Sequence, residues 1–130
     1  MPDSARQSVL FPDIYSKLVV VECCDQPMST DGGALLLIPI DRALQLTESL
    51  AAALDDPRQT GKVRHEVVEL VRQRVFAIAH GYPDGNDAAT LARDPALLLA
   101  CERSPMGGEP LASQPTLSRF ENTAEPRRLL

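Results

Sequence analysis

The stretch Lys62 to Gly81, KVRHEVVELVRQRVFAIAHG, decides how the rest of the chain is read. At about 100° per residue, Val63, Val67, Val68, Leu70, Val71, Val75, Ala77, Ile78 and Ala79 fall within one broad arc. His65, Glu66, Glu69, Arg72, Gln73 and His80 collect opposite it. The spacing predicts one long amphipathic helix over residues 62–80 with a wide core face. Arg64 lies near its start, where the side chain can reach water, but Arg74 points into the middle of the apolar arc. A buried guanidinium needs a partner. The turn that follows, Tyr82-Pro83-Asp84-Gly85-Asn86-Asp87, holds the nearest carboxylates, so Asp84 or Asp87 is expected to pair with Arg74.

Upstream, Ser29-Thr30-Asp31-Gly32-Gly33 supplies cap chemistry and a tight turn before Ala34-Leu35-Leu36-Leu37. Glycines at a helix start can also cradle a phosphate, but no Lys or Arg stands beside these, which favours capping. Pro39 removes a helical hydrogen bond and is expected to kink or restart the helix before Ile40 to Leu46. Thr47 is then placed to cap a short helix to Leu54, ended by Asp55-Asp56-Pro57. Residues 1–16 are polar with Pro2 and Pro12, a loose start. Lys17 to Cys23, KLVVVEC, predicts a short β-strand that must pair with the N-terminal segment, another molecule or sequence outside this chain.

Downstream, Asn86 or Asp87 can cap a helix through Leu91, and Asp94-Pro95 is a cap and first-turn pair for Ala96 to Cys101. Ser104 to Leu111 is a loop by composition. Ser113-Gln114-Pro115-Thr116 then opens a helix with Leu117 and Phe120 facing inward and Gln114, Ser118 and Arg119 facing outward. That outward chemistry suits a helix laid in a DNA groove, although the preceding loop is far longer than the three or four residues of a helix-turn-helix. Pattern alone favours a packing helix. The fold class expected is mainly α, five or six helices around residues 62–80 with one N-terminal strand.

The 130 residues are one domain's worth of chain, and with 4% aromatics and no Trp the core must be aliphatic. A formal charge of -5 argues against a nucleic-acid partner, but it is unevenly spread. Residues 1–60 hold 4 Lys and Arg against 9 Asp and Glu, whereas residues 61–130 hold 9 against 9. Arginine makes up 11 of the 13 basic residues, which suits bidentate phosphate or base recognition; genome composition explains the larger share of that bias. Cys23, Cys24 and Cys101 are an odd set without C-x-x-C spacing, reading as a reducing, cytoplasmic compartment and giving little support to zinc. A hydrolase using Cys23 or Cys24 with His65 or His80 lacks a Gly-framed nucleophile motif. No signal core is present and no apolar run is long enough for a bilayer, so a membrane is not among the expected partners.

Three blocks taken in order resemble a known family: residues 29–58, STDGGALLLIPIDRALQLTESLAAALDDPR; residues 63–100, VRHEVVELVRQRVFAIAHGYPDGNDAATLARDPALLLA; and residues 110–122, PLASQPTLSRFEN. Together they are similar to the N-terminal region of bacterial insertion-sequence transposases of the DDE class, in which such a helical region precedes an RNase H-like catalytic core. The resemblance implies a division into a 1–28 N-terminal segment, a 29–122 helical domain and a 123–130 start of a continuation, Pro126 to Leu130 reading as the beginning of another helix. It also implies that the three carboxylates holding divalent metal, usually Mg²⁺, lie in the core after Asn122. No catalytic, metal or cofactor residue is therefore assigned here, and the expectation is a truncated product without strand-transfer activity of its own. What remains is recognition of the element's terminal inverted repeats and assembly of the protein-DNA complex. The candidates for DNA contact are Arg64, His65 and Arg72 on the central helix and Ser113, Gln114, Thr116, Ser118 and Arg119 on the late one. A different class stands beside this: a small interaction module that self-associates or binds full-length transposase through the Leu-rich surface of residues 34–54 and the unpaired strand at residues 17–23.

Overall fold

The computed structural model describes residues 9–10, 20–21, 26–58, 60–106 and 108–126. Within them the chain is mainly helical: α1 (Ala34–Leu44), α2 (Leu46–Ala52), α3 (Val67–Ala79), α4 (Ala88–Leu91), α5 (Pro95–Ala100) and α6 (Gln114–Thr123). Two-residue strands form two antiparallel pairs. Strand β1 (Val9–Leu10) pairs with β2 (Val20–Val21), so the partner of the predicted strand is the N-terminal segment; the rest of Lys17 to Cys23, apart from Val20–Val21, lies outside the described residues. Strand β3 (Leu54–Asp55) pairs with β4 (Glu125–Pro126), where the sequence predicted the end of one helix and the beginning of another.

Helix α3 is the longest of these elements, at 13 residues, but it starts five residues later than the apolar period suggests. Thr60–Lys62 is a 3-10 turn, and residues 63–66 carry the chain across into the helix, with Glu66 extended and its carbonyl accepting from the N–H groups of Glu69 and Leu70. Arg64 and His65 therefore sit on a connection rather than on the helix. The far end closes on Gly81 at φ 88°, with Tyr82 N–H donating to the Ala77 carbonyl and Gly81 N–H to that of Ile78. This left-handed closure is one that glycine makes without a Cβ clash.

The side of α3 that the pattern marks as solvated is covered by α2 and by the segment before α6. Gln73 is 2% exposed, and the side chains of Arg72 and Glu69 are 11% and 14% exposed. Ile78, by contrast, is half exposed where the last turn leaves the core. Amphipathic spacing finds one buried stripe; it does not say that the opposite stripe stays wet. Two apolar clusters flank the helix. Phe76 and Ala77 pack with Ala34, Leu91, Leu97, Leu98 and Leu111, and Leu70 packs with Ala88, Ala112 and Leu117.

Helix α1 runs through Pro39 without a break. The missing N–H removes only the bond to the carbonyl of Leu35, a residue that is 43% exposed. The chain turns instead at Gln45, φ 50°, and Asp41 reaches across that turn. Its Oδ1 accepts from Thr47 N–H at 3.0 Å and its Oδ2 from Thr47 Oγ1 at 2.6 Å. The cap of α2 is thus Asp41 on the preceding helix, and Thr47 lies inside α2 as its buried recipient. Two other caps also differ from expectation. The Asp31 carboxylate accepts from the Tyr82 hydroxyl, and only its backbone carbonyl meets the start of α1, accepting from Ala34 N–H at 2.9 Å; Asp84, not Asn86 or Asp87, accepts from Asn86 N–H to open the turn before α4. Asp94 caps α5 as predicted, accepting from Leu97 N–H at 3.0 Å.

Candidate nucleic-acid interface

The connection from β3 into α3 and the outer face of α6 form the two walls of a groove of about 580 Å³. Helix α6 is set there by three constraints. Leu117 is buried and Phe120 half-buried against the smaller apolar cluster, which fixes the roll of the helix. Gln73 holds the backbone of Ala112, just before the helix, by two hydrogen bonds of 2.9 and 3.0 Å. The β3–β4 pair ties the far end of α6 to the end of α2.

Pro57, Arg58, Lys62, Arg64 and His65 line one wall, and Ser113, Thr116, Arg119, Phe120 and Thr123 the other. The spacing of 113, 116, 120 and 123 is that of one helix face. Four of these side chains are cationic and none is a carboxylate, which makes this a basic site on a chain of net charge -5. Arg58 is held in a fork by Asp56, with bonds of 2.7 and 2.8 Å, and the guanidinium holds that carboxyl below its usual range. Lys62, Arg64 and Arg119 show no ion pair among the described residues.

His65 is positioned from beneath. Its Nδ1 lies 2.8 Å from Glu69 Oε1 and 3.2 Å from Arg103 Nη2, and Arg103 Nε reaches the same Glu69 oxygen at 2.7 Å. Arg103 comes from the segment after α5, so this trio clamps that segment to α3. Held this way, with its side chain only 12% exposed, the histidine lines the groove in a fixed orientation.

Five of the eight residues singled out in the sequence meet in this groove: Arg64, His65, Ser113, Thr116 and Arg119. Gln114 and Ser118 are half-buried and do not line it. Arg72 is elsewhere. Its guanidinium lies 3.3 Å from Glu48, 3.4 Å from Glu102 and 3.9 Å from Asp41, and its Nε donates to Thr47 Oγ1 at 3.3 Å. Asp41 and Thr47 stand over the turn that α3 packs against, so the arginine is consumed in holding α2 and α5 to α3. Arg74 likewise pairs with Glu121 of α6, while Nη2 donates to the Pro83 carbonyl at 2.7 Å. The acidic turn contributes a carbonyl instead of Asp84 or Asp87, and the exposed Asp84 carboxylate is engaged by Asn86, accepting from its N–H and its Nδ2. Arg58, Lys62 and Thr123 were not singled out. Thr123 follows Thr116 by seven residues and was legible; the two bases lie on a turn whose course the sequence does not show.

Among the described residues no three His, Cys, Asp or Glu side chains come together to hold a metal. Asp31, Asp41, Asp56, Asp84, Asp94, Glu69, Glu102 and Glu121 each have a partner within the protein. They do not fit a divalent-metal centre. Cys101 is buried, and burial pushes its thiol up to about 12, far from a reactive thiolate. No helix among the described residues is long and apolar enough to cross a membrane.

A family model described as transposase DDE domain, group 1, matches residues 11–130. No curated protein and no solved structure matches the chain. With 120 of its 130 residues inside that match, the chain belongs to the group 1 family of DDE transposase domains.

Proposed function

We propose that this chain is the N-terminal, DNA-contacting and assembly portion of a bacterial insertion-sequence DDE transposase. It works in the cytoplasm on the terminal inverted repeats of its element, and strand transfer and its Mg²⁺ ions belong to a catalytic core outside these helices. The observation that carries the reading is the groove with four Lys and Arg side chains and no carboxylate among its lining residues. Arg64, Lys62 and Arg119 would neutralise backbone phosphates, and the Ser113–Thr116 hydroxyl pair, 3.0 Å apart, keeps one proton to donate to a phosphate oxygen and fix register, whereas the Thr123 hydroxyl donates to the Arg119 carbonyl. Arg119, exposed on α6, is best placed to reach a base edge.

Titration of a labelled inverted-repeat duplex against the whole chain, followed by fluorescence anisotropy at several salt concentrations, tests this. Binding should fall linearly on logarithmic axes, and each of Lys62→Ala, Arg64→Ala and Arg119→Ala should lower the slope by about 0.9. A triple variant that binds as tightly as the unmodified chain, with the same slope, sinks the reading.

A second reading is favoured by a separate observation. Leu36, Ile40, Leu44 and Leu46 on α1 and α2 are 71%, 53%, 69% and 53% exposed, an apolar stripe on one side of the fold. Self-association through that stripe would appear in sedimentation as a concentration-dependent mass that Leu36→Lys with Leu44→Lys abolishes.

A further inference from the structure

We propose that the groove takes an unpaired nucleotide, with its phosphates on Lys62, Arg64 and Arg119 and its base against Phe120. This rests on the reading that the groove meets DNA, and adds which form of DNA it prefers. The backbone of a duplex is convex, and a row of protruding cations suffices to hold it. Here the cations surround a recess instead. Its volume of about 580 Å³ lies within the roughly 300–1,000 Å³ typical of pockets that enclose a small molecule. Phe120 on one wall and Pro57 on the other give the recess apolar surface, which a phosphate diester cannot use and the face of a base can.

The placement of Phe120 is specific. It is one of only five aromatic residues in the chain, two Tyr and three Phe. It is half-buried, packed on one side against the cluster of Leu70 and Leu117, and lies one turn along α6 from Thr116 and just after Arg119. An aromatic held by the core loses little freedom when a base stacks on it. A phosphate on Arg119 or Arg64 would then lie beside the base that the ring receives. Stacking of this kind tolerates any base, since every base has a π face. The groove should therefore prefer unpaired over paired DNA with little sequence selectivity of its own, and sequence reading would fall to duplex on either side.

The test compares a blunt duplex with the same duplex carrying a single-stranded thymidine overhang, each titrated with the whole chain by fluorescence anisotropy at fixed salt. The overhang should tighten binding by about tenfold, the size expected of one stacked base. Phe120→Leu, which keeps an apolar side chain against Leu117, should bring that ratio close to one, and Phe120→Tyr should retain it. Circular dichroism melting of both variants checks the fold. Independently of any variant, the ring protons of Phe120 should shift upfield in NMR spectra when oligo-thymidine is added to the unmodified chain. Equal binding of the two DNAs with loss in Arg119→Ala would overturn the nucleotide site while leaving the DNA-contact reading in place. No salt-dependent binding of either DNA would remove both.

Discussion

Gln73 and Ala112, 39 residues apart, satisfy each other twice: Gln73 Nε2 donates to the Ala112 carbonyl at 2.9 Å, and Ala112 N–H donates to Gln73 Oε1 at 3.0 Å. Both residues are essentially out of water, at 2% and 0% exposure. The side-chain amide acts as one rung of a sheet, and through it α3 dictates where α6 begins. Replacing Gln73 by Ala leaves a buried N–H and a buried carbonyl without partners, at about 1–3 kcal/mol each. Urea denaturation of Gln73→Ala should show a loss of roughly 3 kcal/mol. Gln73→Glu is the sharper variant. Its carboxylate still accepts from Ala112 N–H but faces the Ala112 carbonyl oxygen, whereas its protonated form can donate to that oxygen. Burial against a carbonyl raises the folded-state pKa, so the deficit should be smallest at low pH and grow as pH rises through the carboxyl range. A deficit independent of pH, relative to the unmodified chain, would contradict the pairing.

Arg72 gives the next prediction, because it separates two roles that one arginine can play. Its side chain is 11% exposed and it stands among Asp41, Glu48 and Glu102. Removing it leaves Asp41, also largely buried, without its cation, and breaking a pair of this kind costs about 3 kcal/mol or more. Arg72→Ala should therefore lower stability by about 3–5 kcal/mol while leaving the salt slope of DNA binding unchanged at temperatures where the variant is folded. Arg119→Ala should do the reverse. Denaturant melts and salt titrations on the two variants decide it, and a reduced slope in Arg72→Ala would return that residue to the DNA surface.

Gln45, at φ 50°, joins α1 to α2 in the left-handed region. A residue with a Cβ pays about 1–2 kcal/mol there, partly recovered here by the two bonds from Asp41 to Thr47 that hold the turn. Gln45→Gly should stabilise the protein by roughly 0.5–1 kcal/mol, after glycine's own entropic cost. Glu102, at φ 61°, is the control. It too has a positive φ, but its carboxylate pairs with Arg42 and Arg72, so Glu102→Gly trades relief of strain against those contacts and should gain little or nothing. Thermal melts that rank the two substitutions the other way would mean that the backbone is not strained at Gln45.

These residues also show why some of the fold was legible and some was not. The α5 cap at Asp94-Pro95, the inward Leu117 and Phe120, and the break after Gly81 are local features, each decided by residues within one turn. The start of α3 was misplaced because Val63 continues the apolar period while tertiary contacts turn the chain at residues 60–66. Gln73 and Arg72 read as surface because a polar side chain on the far side of an amphipathic helix usually is. Their partners, Ala112 and Glu102, lie 39 and 30 residues away, and the sequence gives no sign of either pairing. Arg74 reads from the sequence as needing a partner, but the carboxylate that meets it is Glu121, 47 residues on, and not one in the turn that follows the helix. The candidate groove was legible on its α6 wall, where helical spacing collects Ser113, Thr116 and Arg119. Its other wall is a turn, and a turn's course depends on what it packs against.

Cys101 supplies a last prediction, and one that can be read without a ligand. It is 4% exposed, and burial pushes its thiol from 9.0 up to about 12. Below about pH 9 the folded and unfolded chains both hold the proton, and the thiol contributes no pH dependence. As pH rises from there toward 12 the unfolded chain ionises first, so stability should fall with pH, and Cys101→Ala should flatten that fall while creating a small cavity. The same burial protects the sulfur from reagents. At pH 8, iodoacetamide should leave the peptide containing Cys101 unmodified in the folded chain and modify it fully in urea, as peptide-resolved mass spectrometry would show. Rapid labelling under native conditions would mean that α5 opens to solvent, and with it the packing of α1 against α5.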